Sequence, residues 1–137
     1  MNSNYYKSNK DYFKEYYKTI NGLTNRFNAQ AKLRYNVINK LTEEQVSTML
    51  QFFDYKCAYT NVDINEIRLR FDHIVPFRRG GAHEIWNIIP CDLSCNASKE
   101  NRDLEKWYET KEYYSKERLE KIREWQEYSF LLFGKKD

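Results

Sequence analysis

The sequence contains few residues that interrupt regular structure, with four glycines and two prolines among 137 residues. No apolar run approaches the roughly 20 residues needed to span a bilayer, and no apolar segment near the first residue resembles a secretory signal. Three cysteines, an odd number, argue against a disulfide framework and favour reduced thiols. These absences predict a soluble protein of the cytoplasm without a membrane partner.

Aromatic residues are abundant by contrast, at 17% of the chain, although 31% of residues are charged and the mean hydropathy is -0.92. A disordered polar chain would carry fewer aromatic rings, so the composition predicts a folded protein whose core is rich in them. A chain of this length suits one core better than two.

Positive charge is concentrated near the N-terminus. Residues 1–41 carry eight Lys and Arg against two acidic residues, a net charge of +6, whereas residues 42–137 carry 15 against 18, a net charge of -3. Nucleic acid is one partner that this asymmetry would suit, and a solvated helix surface is the simpler interpretation.

The spacing of apolar residues predicts two helices in this basic part. The first covers about residues 4–19 and ends at Asn21 and Gly22, and the second has an apolar residue at every fourth position from Leu23 to Tyr35. Residues 1–41 are therefore predicted to form a basic, Tyr-rich helical extension.

Two further helices have recognisable N-terminal caps. Thr42 and Gln45 form a capping box before a helix over about residues 43–53. Ser115 can cap a C-terminal helix within residues 111–137, which would pack on the core through four inward-facing residues: Leu119, Ile122, Trp125 and Phe130.

Strand patterns lie between these helices. Residues 67–72 alternate between apolar and charged side chains, which is typical of a half-buried strand, and residues 85–89 return as a second strand that Pro90 should end. Residues 94–99 then look helical. The predicted order is strand, loop, strand and helix within a core of residues 42–110.

Residues 71–99 hold an unusual concentration of chemically distinctive residues: both prolines, both histidines, two of the four glycines and two of the three cysteines. Metal-assisted hydrolysis of a phosphodiester requires a base and oxygen ligands for a divalent cation. Asp72 offers a carboxylate, Asn96 an amide oxygen, and His73 a base with an ordinary pKa of about 6.5. The stretch suits a nuclease site, although this inventory is not unique to one.

Four elements of this stretch, in order, resemble the HNH (ββα-metal) endonuclease family in its Asn-ended variant: Asp72-His73-x-x-Pro76, Gly80-Gly81, Asn87 and Cys95-Asn96-x-x-Lys99. The resemblance covers about residues 57–108. It implies an α+β fold in which a small ββα-metal core, a two-stranded antiparallel hairpin plus a helix, is surrounded by additional helices at both termini.

The resemblance also implies roles for individual residues in the cleavage of DNA. The general base would be His73, and Asn87 would order the loop that presents it. Asp72 and Asn96 would hold Mg²⁺, or Mn²⁺ or a similar divalent cation. Strict strand alternation would point Asp72 and His73 to opposite faces, so the strand must bend for both to reach one ion.

Basic residues beside the predicted site have two interpretations. Arg78, Arg79 and Lys99 are predicted to hold DNA phosphates, against the alternative of a solvated charge cluster. His83 is interpreted as a loop residue with little chance of contacting DNA. The three tryptophans are assigned to the core: Trp86, Trp107 and Trp125.

The cysteines depart from the family pattern. Many members support the motif with two Cys-x-x-Cys knuckles and a structural zinc ion. Here Cys57 and Cys95 each retain only half of a knuckle, paired with Thr60 and Asp92, and Cys91 is one residue out of register. We expect no structural zinc, and we expect Cys57 and Cys95 to be buried close together.

Two other functions remain compatible with the sequence. A catalytically inactive nucleic-acid-binding module could retain the HNH fold, and the basic N-terminal helices could instead direct a nuclease to RNA or to branched DNA. The complete set of Asp72, His73, Asn87 and Asn96 favours a metal-dependent DNA endonuclease. Restriction, homing and phage DNA processing all use such domains, so the resemblance leaves the biological role open.

Overall fold

A computed structural model describes residues 10–134, without the side chains of residues 10–14, 16 and 17. This part of the chain contains five α-helices: α1 (Lys10–Tyr35), α2 (Glu43–Phe52), α3 (Leu93–Lys99), α4 (Leu104–Tyr108) and α5 (Lys116–Phe133). Two strands, β1 (Leu69–His73) and β2 (Ile88–Asp92), form its sheet, and single 3₁₀ turns cover Ile64–Glu66, Phe77–Arg79 and Ile85–Asn87. None of the described helices is both long enough and apolar enough to cross a membrane.

The α+β prediction is confirmed. Strands β1 and β2 pair antiparallel in a register that places Leu69 opposite Asp92 and His73 opposite Ile88. Helix α3 begins at the residue after β2 and contacts both strands. This hairpin and helix form the predicted ββα unit, with helices before and after it.

The second strand lies three residues later than predicted and runs through Pro90. Pro90 faces Phe71 in the register, and its carbonyl oxygen accepts a hydrogen bond from the Ala58 N–H (2.9 Å) on the side away from β1. The proline nitrogen points to that same outer side, where the absence of an N–H group removes no bond between the strands.

Helix α1 is continuous through Gly22, so the predicted stop at Asn21 and Gly22 is wrong; residues 4–9 of the first predicted helix lie outside the described residues. Gly in a helix interior costs about 1 kcal/mol relative to Ala. Ile20 and Leu23 are buried in the core on either side of it, and this packing offsets the cost.

The predicted capping box at Thr42 and the predicted cap at Ser115 are confirmed. Thr42 Oγ1 accepts a hydrogen bond from the Gln45 N–H (3.1 Å), and Gln45 Oε1 accepts one from the Thr42 N–H (3.0 Å). Ser115 Oγ likewise accepts from the Arg118 N–H (3.2 Å) at the start of α5. These local bonds explain why both helix starts were readable from sequence.

Helix α5 packs on the core through Leu119, Ile122 and Trp125 as predicted, but Phe130 is half exposed. With 3.6 residues per turn, position 130 points about 140° away from position 125, and Ser129 occupies the inward position instead. The phenyl ring of Phe130 packs edge-on against Trp86, with ring centroids 5.2 Å apart.

Two of the three tryptophans lie in the core as predicted, Trp107 and Trp125, while Trp86 is partly buried at its edge. The indole N–H of Trp125 points at the carbonyl oxygens of Ile85 (3.2 Å) and Ile88 (2.9 Å), which bracket the turn Ile85–Asn87. The division of the chain at residues 41 and 110 stays a prediction. Helix α5 lies beyond the second boundary and packs on the turn Ile85–Asn87, which lies before it.

Candidate active site

One cleft, of about 170 Å³, lies between α1 and the ββα unit. Asp72, His73 and Asn96 all line it, although they come from the end of β1 and from α3. The chain bends at Ile74 and Val75, directly after β1. Asp72 and His73, although neighbours in one strand, therefore both border the cleft, which a site shared by the two side chains requires.

The carboxylate of Asp72 is enclosed in a polar cluster. Tyr59 Oη donates a hydrogen bond to Asp72 Oδ2 (2.7 Å), and Lys99 Nζ lies 3.3 Å from the same oxygen. The Lys99 ammonium also donates to the His73 carbonyl oxygen (2.9 Å). Burial raises the pKa of Asp72, while the Lys99 charge and the Tyr59 hydroxyl act in the opposite direction.

Tyr59 is itself held in place by the C-terminal helices. Its carbonyl oxygen accepts hydrogen bonds from Tyr108 Oη (2.6 Å) in α4 and from Arg118 Nε (2.8 Å) in α5. Burial, with the nearby charge of Asp72, raises the pKa of Tyr59 well above its ordinary value. The phenol therefore stays protonated and remains a donor to Asp72.

The imidazole of His73 contacts aromatic and imidazole rings. Its Nε2 lies 3.1 Å from Nδ1 of His83, and the Phe27 ring of α1 packs on it with centroids 5.0 Å apart. Burial, followed by His83 and the Lys99 charge, lowers the pKa of His73 to about 4. The ring is therefore unprotonated at neutral pH, which is the state a general base needs.

His83 lies in the loop between the two 3₁₀ turns, as predicted, but it is buried, with only 3% of its surface accessible. Its Nε2 is 2.9 Å from Asn28 Oδ1 in α1, and its carbonyl oxygen accepts a hydrogen bond from Asn39 Nδ2. Sequence reasoning missed this role because the partners His83 and Asn28 are 55 residues apart. The presence of both histidines within the same stretch was the available signal.

Asn87 closes the loop that follows β1. Its Nδ2 donates to the carbonyl oxygens of Val75 (3.0 Å) and Ala82 (2.9 Å), and its Oδ1 accepts from the Val75 N–H (2.9 Å). Gly81 passes so close beneath Val75 that an added Cβ would lie 1.7 Å from the Val75 carbonyl oxygen. Asn87 and Gly81 thus fix the backbone next to His73.

The basic residues separate into two groups. Arg78 and Arg79 are exposed on the turn Phe77–Arg79, and Arg79 Nε donates to the Asn101 carbonyl oxygen (2.5 Å). Lys99, with no accessible surface, points inward to Asp72. The phosphate contact predicted for Lys99 does not fit this placement, because its ammonium group is enclosed by protein.

The three cysteines are free and buried. The thiols of Cys57 and Cys95 are hydrogen-bonded to each other, so the two residues lie close together as predicted. The hydrogen bond from Cys95 lowers the pKa of Cys57 to about 6, although burial acts in the opposite direction. Burial raises the pKa of the Cys91 thiol. Across the described residues, no three His, Cys, Asp or Glu side chains converge as a metal site.

Comparison with known proteins agrees with this geometry. Residues 56–102 match the family model described as HNH endonuclease. The chain is also similar to the "SPbeta prophage-derived putative HNH endonuclease YoqL" of Bacillus subtilis (strain 168), with 32% identity over 96 residues. That match covers 64% of this chain and 42% of the relative, so the chain spans less than half of the relative's length. The resemblance indicated by the sequence motif is thereby confirmed over residues 56–102.

Proposed function

We propose that the protein is a metal-dependent endonuclease that hydrolyses phosphodiester bonds in DNA, with His73 as the general base. One observation carries the proposal: inside the HNH segment, a neutral imidazole, a carboxylate and a carboxamide border the same cleft. These are the groups that metal-assisted phosphodiester hydrolysis requires.

The donor set in the cleft fits a hard cation. Asp72 and Asn96 would hold it through oxygen atoms, which Mg²⁺ prefers, and two protein ligands leave coordination positions for water and phosphate oxygens. A carboxylate has about four lone-pair positions, so the bonds from Tyr59 and Lys99 leave Asp72 able to bind an ion. When bound, the cation would supply neutralisation of the charge that develops on the phosphate.

The chain's own residues perform the remaining steps. His73 takes a proton from a water molecule, the resulting hydroxide forms a bond to phosphorus, and the bond from phosphorus to the 3′ oxygen breaks. The departing oxygen takes a proton from solvent, which leaves 5′-phosphate and 3′-hydroxyl ends. Asn87 holds the loop that positions His73, and the exposed Arg78 and Arg79 bind DNA phosphates.

A plasmid-nicking assay tests this proposal. The wild type should cleave with Mg²⁺ and not in chelator, and His73→Ala should lose about 10²- to 10⁴-fold in rate while retaining DNA binding in a gel-shift assay. Asn25→Ala, an exposed change on α1, is the matched control and should cleave normally. Equal cleavage by His73→Ala would remove the base assignment, and cleavage in chelator would remove the cation.

The ion pair between Lys99 and Asp72 supports one alternative function. The Lys99 ammonium already neutralises the buried Asp72 carboxylate, an arrangement that would also suit a catalytically inactive nucleic-acid-binding module. DNA binding without Mg²⁺-dependent nicking by the wild type would favour that module. Parallel assays on duplex DNA, single-stranded DNA, branched DNA and RNA would identify the preferred substrate.

A further inference from the structure

A line of hydrogen-bonding groups connects α1 to the proposed general base. It begins at the Asn28 side chain, continues through both ring nitrogens of His83 and ends at Nε2 of His73. Asn28 and His83 are both buried, at 8% and 3% accessibility. Because each hydrogen-bond donor in this line must face an acceptor, the orientation of the Asn28 amide determines which nitrogen of His83 carries a hydrogen, and His83 in turn determines the same for His73.

The orientation of the Asn28 amide is fixed by main-chain groups. Leu41 N–H can only donate, and it lies 3.0 Å from Asn28 Oδ1; the Leu41 carbonyl can only accept, and it lies 3.1 Å from Asn28 Nδ2. The amide oxygen therefore faces both Leu41 N–H and His83 Nε2. His83 Nε2 must carry the hydrogen of that second bond.

The position of the hydrogen on His83 also determines the position of the hydrogen on His73. A neutral imidazole with its hydrogen on Nε2 has its lone pair on Nδ1, so His83 Nδ1 is an acceptor, and His73 Nε2 must be the donor across the 3.1 Å between them. We propose that His83, backed by Asn28, is a positioning residue that holds His73 in the tautomer with its hydrogen on Nε2 and its lone pair on Nδ1. This inference rests on the proposed function of His73.

Three features support this assignment. Among the described residues, none hydrogen-bonds to Nδ1 of His73, so that nitrogen is free to receive a proton from water. The Phe27 ring packs against both imidazoles, with centroids 5.0 Å from His73 and 5.2 Å from His83, which restrains their rotation. His83 is buried, and its two ring nitrogens face an amide oxygen and an imidazole rather than an anion, so no partner of the ring favours a charged form.

Nitrogen-15 NMR of the full, metal-free chain tests the tautomer directly. The chain has only two histidines, so one single-histidine variant assigns all four ring nitrogens. We expect both rings to show a protonated Nε2 and an unprotonated Nδ1 at neutral pH. A hydrogen on Nδ1 of His73 would overturn the inference, and this reading does not depend on whether the protein cleaves DNA.

Two substitutions at position 83 test the consequence for catalysis. His83→Phe keeps an aromatic ring beside Phe27 but removes the acceptor, whereas His83→Asn places an amide oxygen near the former Nδ1. We expect His83→Phe to lower kcat by about 10- to 100-fold with little change in KM, as part of the 10²- to 10⁴-fold that a positioned base contributes. We expect His83→Asn to recover most of that loss.

The controls separate this inference from the proposed function. Loss of the fixed His73 tautomer in the NMR spectrum of His83→Phe, together with recovery in His83→Asn, would support a positioning role. Equal kcat in wild type and a folded His83→Phe would overturn that role, while His73 could still be the base. A wild type that never cleaves would remove the proposed function and leave the NMR result standing.

Discussion

The two walls of the cleft contribute differently to the site. The hairpin wall, formed by β1, β2 and α3, carries Asp72, His73 and Asn96, all within the segment that matches the HNH family. Helix α1 forms the other wall. Its Phe27 packs on both imidazoles and its Asn28 lies within hydrogen-bonding distance of His83, and both residues lie outside that segment. The motif thus encodes the groups proposed to react, and a separate helix supplies their orientation.

The walls also differ in how their polar groups are satisfied. The hairpin wall encloses a buried carboxylate and a buried ammonium that satisfy each other, so loss of either leaves a charge inside the protein. The α1 wall is a helix that buries one face and exposes several polar residues of the other, including Asn25, Arg26 and Gln30. We therefore expect substitutions in the hairpin wall to be more costly than those in α1.

The largest effect should come from breaking the Asp72–Lys99 pair. Asp72→Ala leaves the enclosed Lys99 ammonium unpaired, which should lower the free energy of unfolding by about 3–5 kcal/mol. The double variant Asp72→Asn with Lys99→Met should recover most of this loss, since no buried charge remains. Urea unfolding of the single and double variants measures both values. Equal destabilisation by the two would contradict the pairing.

A methyl group at Gly81 should have the next largest effect. Because a Cβ there would collide with the Val75 carbonyl oxygen and would lie 2.9 Å from Asn87 Nδ2, Gly81→Ala must displace the loop beside His73. We expect a loss of about 1–3 kcal/mol in unfolding free energy, together with slower nicking. Thermal unfolding and the plasmid assay check this pair of effects; a fully active, equally stable Gly81→Ala protein would show that the loop tolerates the extra atom.

Acidification should weaken the contact between the walls. Below pH 6.5 the unfolded chain binds protons at both histidines, whereas folded His73 stays neutral down to a pKa of about 4. Stability should therefore fall with pH, by about 1–2 kcal/mol between pH 7 and pH 5 from His73, with His83 acting in the same sense.

The pKa of Asp72 is raised on folding, so this residue opposes the trend. Urea unfolding at the two pH values, in buffer without divalent cations, measures the net change. His83→Phe should show a smaller dependence, since it removes one of the two histidines. Greater stability of the wild type at pH 5 would contradict the neutral, buried state of the pair.

The smallest effect should be a gain in stability from α1. Gly22 lies inside the helix, and an added Cβ would meet only the flexible end of Arg26, at 3.5 Å. Gly22→Ala should therefore raise the unfolding free energy by about 0.5–1 kcal/mol and leave nicking unchanged. Thermal unfolding measures the gain, and a loss of stability would indicate that the helix does break at this point.

Local patterns predicted much of the fold. The caps at Thr42 and Ser115 depend on groups three residues apart, so the sequence contains both partners. The ordered motif likewise placed Asp72, His73 and Asn96 correctly on the end of a strand and on the following helix.

The failures involve partners distant in sequence. Gly22 and Pro90 look like terminators, yet packing on the core and an outward-facing nitrogen accommodate them. The link between Asn28 and His83 and the enclosure of Lys99 depend on how α1 and α3 pack against the hairpin. No local spacing in the sequence carries that information.

The contact between the Trp125 indole of α5 and the turn before β2 can serve as an optical probe. The indole N–H points at two carbonyl groups that bracket Asn87, so the emission of this tryptophan should change if the turn separates from the helix. With Trp86 and Trp107 replaced by Phe, Trp125 would be the sole tryptophan, and its emission would give an optical signal from the turn that holds the loop beside His73. Stopped-flow fluorescence could then follow the opening of that turn in real time, without an attached dye.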